Sequence, residues 1–153
     1  MISRRRRTEV LVESDPSLAT DLAAIVEREL AVADVVEPHQ GLVMCDVRET
    51  ARSSRFYLGE ALMTECRVRI GDVEGLGVVL GGDARLARAL AVIDAAFGLP
   101  EPPAVLGEVE RRVEVAAAEL GRARAREAAQ VMASRVSFDT MGGQDMSVQA
   151  VVR

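Results

Sequence analysis

The strongest constraint on the fold is a strict alternation of apolar or small residues with charged residues between Thr64 and Ile70. Successive side chains of a strand point to opposite faces of a sheet, so the alternation predicts one core face and one polar face. Gly71-Asp72 follows, and a glycine at the first position of a two-residue loop is typical of a type II′ turn. Val73 to Leu80 supplies a returning strand. The sequence therefore predicts an antiparallel hairpin.

Three further stretches carry apolar residues at helical spacing: residues 16–31, Asp83 to Gly98, and Ala104 to about Ser134. Two others, Leu42–Arg48 and Met146–Val152, are rich in strand-forming residues. Together with the hairpin, these signals predict an α+β fold. In it, an antiparallel sheet of about four strands packs against an N-terminal helix, a middle helix and a long C-terminal helix.

The length of 153 residues fits one domain, and we expect a single domain over 1–153. Residues 1–13, which include the run Arg4–Arg7, are predicted to be a flexible arm, and residues 142–153 a tail. The arginine run lacks the apolar stretch of an export signal behind it, and no stretch reaches the roughly 18 apolar residues of a membrane span. We therefore expect a soluble, cytoplasmic protein with no membrane contact.

The charge balance narrows the class of partner. The net charge is −5, and setting aside the four positive charges of Arg4–Arg7 leaves −9. Nucleic acids are polyanions, so an acidic chain binds them poorly. We predict no nucleic-acid binding.

The titratable residues form no recognisable catalytic or metal-binding motif. His39 has no nucleophile motif beside it, and Cys45 and Cys66 lack the CxxC spacing of a metal or redox site, so we expect two buried thiols. Asp94 stands within an apolar run, where burial would require an arginine or backbone amides as partner. We favour a structural ion pair there over catalysis. The sequence predicts no catalytic residue, no metal site and no bound cofactor.

Gly81, Gly82 and Asp83 lie at a predicted strand-to-helix junction, where unsatisfied helix amides can bind an anion. Asp83 would itself occupy that position as a helix cap. We favour the turn-and-cap role and keep the three residues as candidates for an anion site.

The second half of the long helix suits contact with another protein, because its apolar stripe narrows to alanines toward Ala123 and Ala128. The apolar residues after this helix lie in a glycine-containing tail, where an isolated monomer gains little by exposing them. The alternative is that this segment adds an edge strand to the chain's own sheet. The predicted partner interface comprises Arg135, Val136, Phe138, Thr140 and Met141.

Four stretches, in this order and spacing, resemble the G subunit of bacterial carbon-phosphorus lyase, the PhnG family, from about residue 37 to residue 144. They are Gly41–Met44, Tyr57–Val68, Gly75–Asp83 leading to Val92–Ala95, and Ala133–Met141.

The resemblance implies a role in phosphonate catabolism, where G, H, I and J subunits form a core complex. In its first step a phosphonate displaces adenine from ATP, which the family picture assigns to the large I subunit with support from G and H. The expected role is thus an accessory subunit of a transferase complex that makes ribose 1-methylphosphonate 5-triphosphate, not catalytic alone. The implied partners are the I-type subunit first, and the J- and H-type subunits; a homodimer stays open.

The chain departs from the family at Gly82, Leu86 and Asp139, where members usually carry an arginine, a histidine and an aromatic residue. Arginine and histidine are the residue types that would touch phosphates or a charged partner. These departures motivate an alternative, a free-standing homo-oligomeric module without the lyase partners. A third hypothesis is an autonomous phosphoryl- or nucleotide-processing enzyme, for which the sequence offers no convincing acid/base, nucleophile or metal constellation.

Overall fold

The computed structural model of the chain describes residues 2–135. Within that range the chain forms helices and one antiparallel sheet, as follows: α1 Arg4–Glu13, α2 Leu18–Glu29, β1 Val32–Arg48, β2 Arg55–Ile70, β3 Val73–Leu80, α3 Ala84–Phe97 and α4 Val105–Ala133. The predicted α+β class is confirmed. The sheet in the described residues has three strands rather than about four, and the remaining predicted strand, Met146–Val152, lies outside them.

Two compact units divide the chain, residues 1–120 and residues 121–153. The first unit holds α1, α2, α3, the sheet and the first part of α4, whose buried residues are Leu106, Val109, Val113 and Ala116. In the second unit, residues 121–135 continue α4 to Ala133, and every one of them is exposed.

The sheet has the order β1-β2-β3, with β2 in the centre. β2 pairs with β3 only from Met63↔Leu80 to Ile70↔Val73, whereas it pairs with β1 as far as Arg48↔Arg55. Residues 41–48 and 55–62 therefore form a two-stranded extension beyond the end of β3. We call this extension the ribbon.

The predicted hairpin and its faces are confirmed. Gly71 has a φ of 57°, whereas Asp72 is not among the residues with positive φ, which fits a type II′ rather than a type I′ turn. Thr64, Cys66, Val68 and Ile70 are all buried, and the charged residues between them lie on the other face.

The core lies between this face and α3, and two glycines of β3 let the helix approach closely. A methyl group at Gly75 would overlap the Ala91 carbonyl oxygen, and one at Gly77 would overlap the Ala87 carbonyl oxygen. Because α3 presents alanines here, its backbone packs almost directly on the strand. The predicted middle helix, from the Asp83 cap to Gly98, is confirmed.

The N-terminal residues differ from the prediction, because the expected flexible arm over 1–13 contains helix α1. Ser3 caps this helix by accepting a hydrogen bond from the Arg6 amide. Val10 and Leu11 are buried in the core, and Arg7 is buried with its guanidinium 4.0 Å from the centre of the Phe97 ring. An arginine that is buried by stacking on an aromatic ring breaks the apolar periodicity by which sequence patterns identify a helix.

Candidate partner-binding surface

The ribbon brings two of the family-like stretches together. Leu42 lies opposite Leu62, Val43 opposite Ala61 and Met44 opposite Glu60. Residues directly opposite each other in an antiparallel pair share a face of the sheet. Residues from Gly41–Met44 and Tyr57–Val68, which lie on consecutive strands, thus form one surface.

Both faces of the ribbon are apolar. Leu42, Leu62 and Met44 continue the face on which Thr64 is buried, and Leu42 is 64% exposed. On the opposite face lie Val43 and Ala61, and Met63 continues this face into the three-stranded part of the sheet.

The apolar surface of this opposite face extends onto β3. Leu80 lies opposite Met63, at the end of β3 that adjoins the ribbon, and it is 75% exposed. Contiguous exposed apolar surface of this kind marks a site of interaction with another macromolecule.

A polar loop at the far end holds the ribbon in register. Glu49 accepts hydrogen bonds from the amides of Ala51 and Arg52 and from the Ser54 hydroxyl. The Ser54 hydrogen bond is the largest cause that lowers the pKa of Glu49. Arg55 forms an ion pair with Asp46 across the strands. The loop therefore fixes the pairing of β1 with β2 in a region where no other described element packs on these strands.

The middle of the ribbon is largely apolar. Glu60 is the one titratable side chain between Leu42 and Met44 on β1 and between Leu58 and Leu62 on β2. In residues 2–135 no three His, Cys, Asp or Glu side chains come together as a metal site would require. This surface can bury apolar area against a partner.

The candidate anion residues adopt the turn-and-cap arrangement. The Asp83 carboxylate accepts a hydrogen bond from the Leu86 amide at 2.9 Å, and the Gly81 carbonyl accepts one from the Thr64 hydroxyl at 2.6 Å. Gly81 also donates its amide to Leu62 at the base of the ribbon. A carboxylate thus lies at the N-terminus of α3, and an anion site at Gly81, Gly82 and Asp83 stays a prediction.

The predicted interface after α4 is described only at its first residue. Arg135 is exposed, two residues past the end of α4. Val136, Phe138, Thr140 and Met141 lie outside the described residues, so this interface also stays a prediction.

The predicted structural ion pair of Asp94 is confirmed. Its carboxylate accepts two hydrogen bonds from Arg4, at 2.7 and 2.6 Å, and lies 3.5 Å from the Arg7 guanidinium. It also accepts the Leu76 amide at 3.2 Å. Both kinds of partner expected from the sequence, arginine and backbone amide, are present. Asp94 thus connects α1, α3 and the edge of β3.

The two thiols differ. Cys66 is fully buried, and burial raises the pKa of its thiol, with the negative charge of Asp34 adding to the effect. Cys45, on the ribbon, is only half-buried. The prediction of a buried thiol is therefore right for Cys66 and wrong for Cys45, because none of the helices in residues 2–135 covers the ribbon at that point.

The sequence predicts a partner surface after α4, and that prediction does not include the ribbon. The signal was present, since apolar residues fill consecutive positions at 42–44 and 56–58 instead of alternating. A strand that is apolar on both faces must be covered on both. The three-stranded sheet supplies such cover only as far as β3 and α3 extend.

Taken together, fold and surface define an α+β protein with an exposed β-ribbon that is apolar on both faces. The model of the family described as phosphonate metabolism protein PhnG matches residues 2–143, and the chain belongs to this family. Membership in this family implies a role in phosphonate metabolism. A search of curated proteins found no match to the chain. Among the described residues no helix is both long and apolar enough to span a membrane.

Proposed function

We propose that this chain is an accessory subunit of the carbon-phosphorus lyase complex in phosphonate catabolism. It acts in the cytoplasm and supports synthesis of ribose 1-methylphosphonate 5-triphosphate from ATP and methylphosphonate, without being catalytic alone. Its first partner is the large I-type subunit, followed by the J- and H-type subunits. Family membership supports the pathway, and the ribbon supports the mode of action.

The single observation that carries the proposal is the exposure of family-like residues on both faces of the ribbon. A two-stranded ribbon is only marginally stable in water unless further structure covers it. A single flat contact would cover one face and leave either Leu42 or Val43 in water. A cleft in a large subunit has two walls, and it would cover both.

The test is co-expression with the tagged I-type protein of the same genome, followed by size-exclusion chromatography at micromolar concentration. We expect one co-eluting complex. Separate elution of the two wild-type chains would overturn the proposed function.

The role of the ribbon is tested on each face separately. Leu42→Asp places a carboxylate on one face and Val43→Asp on the other. Burying an unpaired carboxylate at an interface costs several kcal/mol, so each change should weaken the complex by about 100-fold or more. Val115→Asp, at an exposed valine of α4, is the matched control and should leave binding within about twofold. If a ribbon variant binds like this control, the ribbon is not the docking surface.

The predicted second contact is tested by a chain that ends at Ser134 and so lacks Arg135, Val136, Phe138, Thr140 and Met141. We expect a complex that still forms through the ribbon but dissociates faster, because part of the apolar contact is lost. An unchanged dissociation rate would remove these residues from the interface.

A second candidate is the free-standing homo-oligomeric module. Two departures from the family lie in the described residues, and neither presents a charge: Leu86 packs partly against the core, and Gly82 lies beside the Gln40 side chain. Light scattering on the purified chain distinguishes the candidates. A stable oligomer that the I-type subunit does not dissociate, and that Val43→Asp disrupts, would favour the module.

A further inference from the structure

The proposed function leaves the run Arg4–Arg7 unexplained, although it is the densest positive charge in a chain of net charge −5. Three of these four arginines have a carboxylate partner within the chain, either Asp94 or Glu9. Arg5 is the exception. It is exposed and has no ion pair or hydrogen bond from its side chain to any of residues 2–135.

Arg5 lies on the wall of a cleft of about 420 Å³ between α1 and the free edge of β3. Leu11, Leu90 and Ile93 give this cleft an apolar lining, and Val78 lies on the β3 side. The volume falls in the range typical of ligand sites. The cleft thus combines an apolar interior with one cation that has no partner in the described part of the chain.

The β3 side of the cleft exposes backbone as well as side chains. The Leu76 amide donates to Asp94, so it points away from β2. Backbone groups of an antiparallel strand alternate in direction, and therefore Val78, two residues further on, also turns its N–H and C=O away from β2. These two groups have no partner within residues 2–135. The Asp94 carboxylate occupies one position of the strand edge and leaves the next position open.

We propose that this cleft binds an extended segment of another protein that carries a carboxylate beside apolar residues. Its backbone pairs with Val78, as in β-strand addition, its apolar side chains contact Leu90 and Ile93, and its carboxylate pairs with Arg5. The open backbone edge favours a peptide over a free anion, which would need only the arginine. The ribbon lies beyond the end of β3 and the cleft lies between α1 and the edge of β3, so variants of the two can be tested separately.

The test uses the full-length protein and two peptides with fluorescein on the N-terminal amine, fluoresceinyl-(Val-Asp)₃-amide and fluoresceinyl-(Val-Ser)₃-amide. Fluorescence anisotropy should show binding of the acidic peptide, with the serine peptide weaker by about tenfold or more. Equal binding of both peptides, or no binding of the acidic one at millimolar protein, would overturn the proposal.

Two variants test which groups of the protein contact the peptide. Arg5→Glu should weaken the acidic peptide by about tenfold or more, whereas Arg85→Glu, an exposed arginine of α3 outside the cleft, should stay within about twofold. Val78→Pro removes the edge amide, which a strand edge tolerates because that amide faces away from the sheet. It should weaken the acidic peptide by about tenfold, with circular dichroism and thermal unfolding unchanged.

Full affinity in Val78→Pro would show that an anion alone is bound, and full affinity in Arg5→Glu would exclude the arginine contact; either result overturns the peptide site. Neither variant lies on the ribbon. Loss of the I-type complex in the ribbon variants, with peptide binding intact, would therefore separate the two proposals.

Discussion

The central strand β2 runs through two regions that differ in what covers them. From Thr64 to Ile70 it lies between β1 and β3 and beneath α3, and every second residue is buried. From Arg55 to Leu62 it lies in the ribbon, where nearly every residue is exposed and Leu58 reaches 71%. The strand is continuous, yet its exposed part is the more apolar one: five of the eight residues 55–62 are apolar, against three of the seven residues 64–70.

The difference shows that an apolar pattern predicts that a strand is covered. It does not predict whether the same chain or another chain covers it. In the packed region the cover comes from α3, which can approach because β3 presents glycines. In the ribbon, the loop between β1 and β2 fixes the register of the two strands. The side chains of the ribbon stay exposed among the described residues. The packed region should therefore govern stability, and the ribbon should govern association.

The largest effect on stability is expected at Gly77, where α3 packs directly on the sheet. In Gly77→Ala, the new methyl would overlap the Ala87 backbone, so α3 must move away from the sheet. We expect a loss of about 3 kcal/mol in the free energy of unfolding, measured in urea.

Gly41→Ala is the matched change in the ribbon, since a methyl group there meets no atom within 4 Å. It should alter the free energy of unfolding by less than about 0.5 kcal/mol. Similar losses in the two variants would mean that the ribbon is packed in solution, and the contrast drawn above would fail.

The second effect concerns the two cross-element ion pairs. Asp94→Asn removes the negative charge that faces the buried Arg7 guanidinium. Burial lowers the pKa of this guanidinium, so its charged form depends on that partner. We expect a loss of about 2 kcal/mol, below the range for fully buried pairs because Arg4 is largely exposed. Asp46→Asn breaks the exposed pair with Arg55 on the ribbon and should cost less than about 1 kcal/mol. Equal costs would show that Asp94 does not anchor α1.

The same two regions separate what the sequence could predict from what it could not. Alternation identified the packed face of β2, and an Asp at a strand-to-helix junction identified the α3 cap, because both signals are local. Burial of Arg7 is not local, since Phe97 and Asp94, its partners, come from α3. The exposure of the ribbon is not local either. It follows from β3 ending at Leu80 while β1 and β2 continue, a difference in strand length that residue types do not encode.

The smallest expected effect is a difference in reactivity between two free thiols, one in each region. A thiol reacts as the thiolate, and burial raises the pKa of Cys66 while removing its sulfur from solvent. At pH 8, Ellman's reagent should therefore titrate Cys45 in the native protein and Cys66 only after denaturation. Cys45→Ser should abolish the native reaction.

The raised pKa of Cys66 also determines how the free energy of unfolding should change with pH. Below the ordinary thiol pKa of 9.0 the Cys66 thiol is neutral in both states, and above it the exposed thiol of the unfolded chain ionises first, so the folded state loses stability as the pH rises from 9.0 toward the raised pKa. Unfolding in urea should become easier above about pH 9 in the wild type, and less so in Cys66→Val.

Cys45 then gives a direct measure of the ribbon's cover. If the I-type subunit encloses both ribbon faces, its addition should slow the reaction of Cys45 by about tenfold or more, because reagent must reach a sulfur inside the interface. An unchanged Cys45 rate in a complex that co-elutes would place the partner elsewhere on the chain, and it would leave the ribbon exposed even in the assembly.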